Sequence, residues 1–351
     1  MRDTMDGKYY ADRAWAQTSA LLSIDSPTGY TEEAAAWVQA AFAALGFPAQ
    51  RTVKGGVLAD LGGADGDGAL LLEAHADTLG AMVAEIKGSG RLRLAPLGGM
   101  EPNNAEAENV RIRTRSGRVI EGTVQLANAS VHVNGDYHTA ARSWDTVEVV
   151  PDEPVASAED VRALGIEVGD IVCFEPSGYL KSRFLDDKLS VGILLGLAEY
   201  LRDTGAVPAR HTYVHVTVYE EVGHGGSASV PPDVTEAISV DMGCVGDGLT
   251  CTERQVSICA KDSGGPYSYA TVGHLIEAAR AAGADYAVDV YPHYGSDVEA
   301  TLRSGADIAH GLIGAGVYAS HGYERSHIDG VENVLRLLCT YLGLPAAMEK
   351  G

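Results

Sequence analysis

Apolar residues recur at helical spacing from Tyr10 to Leu22 and from Thr31 to Leu45, where Gly46 supplies a stop signal. Two short apolar runs follow, Val57–Leu61 and Leu70–Ala74, separated by GGADGDG. That Gly/Asp cluster lacks the strand-before, helix-after setting of a phosphate loop, so it reads as a hairpin connection. From about Ala81 to Val150 helical periodicity gives way to short alternating runs: Val83–Ile86, Arg91–Leu94, Val110–Thr114 and Val119–Leu126. Arg115-Ser116-Gly117-Arg118 suits a turn between the last two. A helix over Ser157–Leu164 and a strand over Ile171–Phe174 follow.

Beyond Asp186 the pattern alternates. Helices are predicted at Leu189–Leu201, Tyr267–Ala282, Asp297–Ser304 and Val331–Leu342. Strands are predicted at His211–Tyr219, Ala237–Asp241, Val256–Ala260, Ala287–Tyr291 and Ile308–Ile313. Such alternation implies an α/β sheet covered on both faces. The stretch without helical period implies a small all-β unit inserted into that larger domain. The expected division is residues 1–80 with 165–351 for the larger domain and 81–164 for the insertion.

Charge narrows the function. Asp and Glu total 48 against 26 Lys and Arg, a net charge of −22. A protein that neutralises phosphates needs a basic face, so a nucleic-acid partner is not expected. No apolar run reaches membrane-spanning length, and MRDTMDGKYYADRAWAQ has no apolar signal core. The five cysteines, Cys173, Cys244, Cys251, Cys259 and Cys339, form no CxxC pair and suit buried thiols in a reducing cytoplasm.

The candidate chemistry sits mostly where predicted strands end. LLLEA runs into His75-Ala76-Asp77, VHVTVY into Glu220-Glu221, and AISV into Asp241; GAGVYAS delivers His321, and Asp186-Asp187 precede a helix. Singly, each has an ordinary reading: a surface pair, an N-cap, a solvated face, a core histidine. Together they do not, because adjacent carboxylates after an apolar strand are costly to bury without a compensating cation. Two imidazoles with three or four carboxylates form an N/O ligand set that suits zinc, cobalt or manganese rather than calcium.

The order His-x-Asp, Asp-Asp, Glu-Glu, Asp, His resembles that of the dinuclear metallopeptidases. It is most similar to the glutamyl/leucyl aminopeptidase family, whose members build tetrahedral (TET) dodecamers. EAHADTLG, EDVRALGIEVGDIVCFEP, KSRFLDDKLSVG, YEEVGHGG, SVDMG, YGSDVEAT and VYASHGYER carry the resemblance, from about residue 70 to the C-terminal helix. The spacing agrees: 108 residues lie between Asp77 and Asp186, room for the β unit. Related carboxypeptidases and deacylases place their extra domain before the last His, where this chain has 79 residues already taken by core elements.

The resemblance implies a mixed sheet sandwiched by helices with an inserted β-barrel-like domain used for dimerisation. It implies a homo-oligomer, a dodecamer, that removes N-terminal residues from short peptides with two divalent ions, zinc first. His75, Asp186 and Asp241 would hold one ion; Asp186, Glu221 and His321 the other. Asp77 would accept a hydrogen bond from His75, and Glu220 would be the general base. A deacylase or amidase acting on N-blocked amino acids could use the same site, and a catalytically silent scaffold is the reading from another class. The chain departs from the family at Gly322-Tyr323-Glu324-Arg325-Ser326-His327, at His224, and in lacking an arginine before the last His. Arg325 reads either as a substrate clamp or as surface charge, and Asp297 as support or helix cap. Cys244 reads as an inert thiol, and His132 and His138 as surface-loop residues.

Overall fold

The computed structural model describes residues 7–64, 66, 68–174 and 180–344; Asp65 and Asp67 of GGADGDG, Glu175 and Pro176 of the quoted motifs, and the first six residues of the N-terminal stretch lie outside them. The chain begins with α1 (Gly7–Leu22), α2 (Glu32–Ala44), β1 (Ala49–Arg51), β2 (Val57–Asp60) and β3 (Ala69–His75). It continues through β4 (Gly80–Ile86), β5 (Leu92–Leu97), α3 (Pro102–Ala105), β6 (Asn109–Arg113), β7 (Val119–Leu126), β8 (Val147–Pro151), α4 (Ala158–Ala163) and β9 (Ile171–Phe174). Then come β10 (Lys181–Ser182), α5 (Leu185–Thr204), β11 (Thr212–Thr217), β12 (Val234–Val240), β13 (Gly243–Val245), β14 (Val256–Lys261) and α6 (Tyr269–Ala281). The last elements are β15 (Tyr286–Val290), α7 (Asp297–Arg303), β16 (Ala309–Tyr318), β17 (Glu324–Arg325) and α8 (Ile328–Tyr341).

The main sheet has the order β1-β2-β11-β3-β12-β16-β14-β15 and is mixed. Every residue of β3, ALLLEAH, is buried, which requires cover on both faces. Helix α5 packs on β3 and β16 with α1 and α8 against it, while α7 also meets β3, β12 and β16. Small residues let α1 and α5 approach closely. A Cβ at Gly192 would stand 2.0 Å from the Thr18 hydroxyl oxygen and 2.6 Å from the Ala14 carbonyl.

The expected hairpin between β2 and β3 does not form. Strand β11 lies between them, antiparallel to β2 and parallel to β3. The chain just after β2 pairs with the start of β11 instead: Leu61 N–H donates to Thr212 O at 2.9 Å and Thr212 N–H to Gly62 O at 2.8 Å. Strand β11, buried over most of its length, takes the central place beside β3 and leaves β2 nearer the sheet edge, paired with β1.

Strands β4-β5-β8-β7-β6-β9 close into a barrel. The alternation is visible in β7, where Ile120, Gly122, Val124 and Leu126 are buried and their neighbours are not. Arg115–Arg118 is the turn between β6 and β7. Closure also takes in β9, which pairs with both β4 and β6, so the barrel strands extend from Gly80 to Phe174.

Asp25, just past α1, ties this barrel to the main sheet domain. Its side chain is 5% exposed, with Arg111 Nη2 at 2.6 Å and Arg113 Nη2 at 2.5 Å, both from β6. Burial alone would raise the Asp25 pKa; hydrogen bonds from the two guanidinium groups outweigh it and hold the carboxyl below its ordinary range. Removing one partner from such a buried group leaves uncompensated charge. Asp25→Asn should therefore cost roughly 2–4 kcal/mol of stability at neutral pH. The difference from wild type should vanish as pH falls through the depressed Asp25 value, because a carboxyl with a lowered folded pKa stabilises only while ionised. Urea unfolding at several pH values measures this; equal stability at pH 7 would show that the triad contributes nothing.

Candidate metal centre

Strands β11, β3, β12 and β16 run mutually parallel, so their C-terminal ends share one edge of the sheet. Open α/β sheets gather ligands at such an edge. His75 ends β3, and Asp241 follows β12 directly. After β11 the chain turns through Tyr219, at a φ of 74°, into a single 3-10 turn that carries Glu220 and Glu221. His321 follows β16 in a loop where Ala319 and His321 both have a φ of 60°. Asp186 and Asp187 have non-helical backbone at the mouth of α5 and are joined by a cis peptide.

These residues converge. His75 Nε2 is 3.2 Å from Asp186 Oδ1, and His321 Nε2 is 3.5 Å from Asp186 Oδ2. Asp186 therefore presents one oxygen to each imidazole. Glu221 Oε2 lies 3.7 Å from His321 Nε2, and Glu220 Oε2 lies 3.6 Å from His75 Nε2. Two groups could each hold an ion: His75, Asp186 and Glu221, and His75, Asp187 and Asp241, with ligand atoms in each within 4.8 Å of one another. Asp187 was not among the expected ligands. Its Oδ2 accepts the His75 backbone N–H at 3.2 Å, while its Oδ1 is buried without a hydrogen-bond partner.

Asp77 holds more than His75. His75 Nδ1 is 2.9 Å from the Asp77 backbone carbonyl and 3.5 Å from its carboxylate. The carboxylate oxygens are engaged elsewhere. They accept Glu220 N–H at 3.1 Å, Glu221 N–H at 3.4 Å and the Thr28 hydroxyl at 2.8 Å. Asp77 thus fixes the turn that carries both glutamates.

The electrostatics call for a cation. Burial, then the charge on Asp186, push Glu221 up to about 8 and Asp241 up to about 6. Burial raises Glu220 well above its ordinary value, with Asp241, Asp297 and Glu221 adding to it against the pull of His75. For Asp186 burial is outweighed by hydrogen bonds from His321 and His75, which hold it low. Burial would lower His75, yet Asp186 and Asp77 hold it well above its usual range. The ion pairs described for these carboxylates are all to the two histidines. Carboxylate and imidazole donors, one buried oxygen without a partner and an excess of negative charge fit a divalent cation.

A cleft of about 580 Å³ opens onto Asp186, Glu220, Asp241 and His321, with Tyr294 and Arg303 on its walls. Tyr294, the first residue of YGSDVEAT and assigned no role there, donates its hydroxyl to Met242 O at 3.1 Å. The remaining candidates sort plainly. Asp297 is buried support: it accepts the Thr217 hydroxyl at 2.7 Å, and Ser296 rather than Asp297 is the N-cap residue of α7. His224 is exposed, its carbonyl contacted by Lys54. His327 caps α8 by accepting Asp329 N–H at 3.1 Å, and Arg325 is exposed, 4.0 Å from Glu253. Cys244 borders the cleft, its thiol pKa raised by burial and by Asp186 and Asp241, as an inert thiol requires. His132 and His138 are exposed on the barrel.

The family profile described as M42 glutamyl aminopeptidase matches residues 55–337. The chain belongs to the M42 glutamyl aminopeptidase family. It is thereby a peptide hydrolase of the aminopeptidase type, in a family that is metal-dependent. The putative aminopeptidase YhfE of Bacillus subtilis is 42% identical over 331 residues, covering 93% of this chain and 96% of the relative. Among solved structures, the aminopeptidase APDkam598 from Desulfurococcus kamchatkensis superposes with a TM-score of 0.84 at 22% identity, covering 95% of each chain. The TET1 peptidase of Pyrococcus horikoshii, which assembles into a tetrahedron or an octahedral shell, gives 0.82 at 20% identity, covering 94% of this chain and 99% of that one. These structures share the mixed sheet and the barrel.

Asp241 owes its place to a glycine on the neighbouring strand. A Cβ at Gly314 would stand 1.6 Å from the Asp241 carbonyl oxygen, which is backbone and cannot swing away. Gly314→Ala should force β12 and β16 apart, cost about 1–3 kcal/mol and lower the midpoint of urea unfolding. An unchanged midpoint would show that the strands absorb the methyl group elsewhere.

Proposed function

We propose that this chain removes single N-terminal residues from short peptides at a dinuclear site formed by His75, Asp186, Glu221, Asp241 and His321. The carrying observation is that Asp186 offers one carboxylate oxygen to each histidine, the arrangement a bridging ligand needs. Asp187, beside His75 and Asp241, supports the same site from below. Zinc is the first expectation, with cobalt and manganese compatible with the same donors. Such ions, when bound, would acidify a water and polarise the scissile carbonyl.

The protein's own groups have separate parts. Glu220 is the general base. It accepts the water proton and returns it to the leaving amine. Its amide is pinned by Asp77, so its carboxylate is aimed while Glu221 serves as ligand. The two cannot exchange roles without rotating the turn that Tyr219 sets. The cleft carries the peptide, and the carboxylates that border it suit a free α-amino group better than an acylated one. That favours peptides over the amidase alternative. Residues 322–327, which set the chain apart from its family, do not border the cleft and lend the amidase reading no support.

The barrel, expected as 81–164 beside a catalytic unit of 1–80 with 165–351, is proposed as the assembly module of a homo-oligomer. The support is that it contributes few groups to the cleft and that the solved TET relatives assemble into large particles. Five unpaired cysteines favour a reducing cytoplasm as the place of action.

Chelation should abolish activity, and zinc, cobalt or manganese should restore it. Glu220→Gln should retain both ions and lower kcat by about a hundredfold or more, whereas Glu221→Gln should lose metal. Bound metal and kcat on both variants decide the matter. Full turnover by metal-free protein, or by Glu220→Gln, would sink the mechanism. For assembly, light scattering should report particles many times the 36.8 kDa chain mass. A monomer at micromolar concentration would overturn the assembly proposal.

A further inference from the structure

We propose that Glu324 is a positioning residue that ties together the two ligand-bearing segments from opposite halves of the chain, setting Asp186 and His321 in register. This rests on their reading as metal ligands. Glu324 is fully buried and makes no ion pair among the described residues. Its two oxygens are divided between the two segments. Oε2 accepts the Asp186 backbone N–H at 3.0 Å, and Oε1 accepts the His321 backbone N–H at 3.0 Å.

Neither segment is held there by regular structure. Asp186 has a ψ of 106° at the mouth of α5, outside helical geometry. His321 sits in the left-handed region, φ 60°, which a residue with a Cβ adopts only when its surroundings hold it there. The buried Asp186 amide would otherwise be left without a partner, at a cost of about 1–3 kcal/mol, and the half-buried His321 amide would lose the contact that fixes it. Glu324 is itself fixed by the strand β17, opposite Ser182 of β10. The tie therefore runs from a rigid ladder to both ligands, and through Asp186 to both proposed ion positions.

A side chain that offers one acceptor oxygen to each amide fits this place. Glutamine has the same shape, but its amide group would put an NH2 against one of the two backbone N–H groups. The departure in sequence after His321 gains a purpose here. Gly322 and Tyr323 form the turn that brings Glu324 back onto the amide of His321, three residues earlier.

The test is a cobalt titration of metal-free full-length protein, followed by visible absorption, with urea unfolding run on the same samples. Wild type should bind two ions per chain. Glu324→Gln should bind at least one of them on the order of tenfold or more weakly, with an altered cobalt spectrum. Its kcat should fall while KM for a short peptide changes little. Glu324→Asp keeps two acceptors one methylene further away and should be intermediate; it carries the test if the glutamine variant does not fold. Unchanged cobalt affinity and spectrum in a folded variant, with only the unfolding midpoint lowered, would overturn the positioning role and leave the metal centre standing. Wild-type protein that takes up no cobalt would instead overturn the metal centre, and the inference with it.

Discussion

Acidic side chains are gathered at the sheet edge with no lysine or arginine paired to them among the described residues, and most of the main sheet and its helices can be understood as the means of holding them there. Asp186, Asp187 and Asp241 are buried, and Glu220 and Glu221 are nearly so. Like charges at such distances repel, and burial removes the water that would screen them. Two further carboxylates, Asp77 and Glu324, are kept out of the ligand group by being given backbone amides. Asp77 takes those of Glu220 and Glu221; Glu324 takes those of Asp186 and His321. A pair of N–H groups partly neutralises a carboxylate without adding a competing cation. The negative charge left over belongs to the oxygens that face the cleft.

The surrounding architecture explains how such a group survives. Strands β3 and β12, which deliver His75 and Asp241, are central and almost wholly buried, so these two side chains extend from the packed middle of the sheet. Beneath them Glu73 is satisfied by His215 at 3.2 Å and Thr301 at 3.0 Å, and Asp297 accepts the Thr217 hydroxyl through Oδ2 while its Oδ1 is buried without a hydrogen-bond partner. These buried polar groups link α7 to β3 and β11 and set the floor of the site. Asp25 does the equivalent at the other junction, joining the loop after α1 to the barrel through two arginines.

Much of this could be read from the residues alone, and the exceptions have physical causes. Alternation and helical period located most strands and helices because each buries one face; the α5 reading, Leu189–Leu201, fell inside an observed Leu185–Thr204. Strand order was invisible. Nothing local to Val57–Leu61 says that a strand about 150 residues later will intrude beside it. Strand β8 and the barrel role of β9 were missed for the same reason, since closure depends on partners far along the chain. Side chains clustered in motifs were found because carboxylates and imidazoles are conspicuous there. Asp187 is conspicuous beside Asp186, yet its position before a helix suggests only a cap, and Tyr294 and Glu324 stand inside quoted motifs that give no sign of their roles. Their importance lies in contacts to backbone atoms, and a backbone amide leaves no mark in a sequence.

The same oxygens that would receive a metal ion also receive protons, and this couples the site to its medium. Burial and Asp186 raise Glu221 to about 8 and Asp241 to about 6, so with only the protein's own charges present Glu221 tends to be protonated at neutral pH, while Asp241 takes up a proton only as pH falls toward 6. A carboxyl whose folded pKa lies above its unfolded value favours folding while protonated and disfavours it as pH rises through the folded value. A divalent cation reverses that sign by stabilising the ionised form, and binding it must release protons. Repulsion among these carboxylates is tolerable in the fold when either protons or a cation relieve it. The backbone ties at Asp77 and Glu324 keep the oxygens convergent in both cases, which is what allows one replacement to follow the other without rebuilding the site.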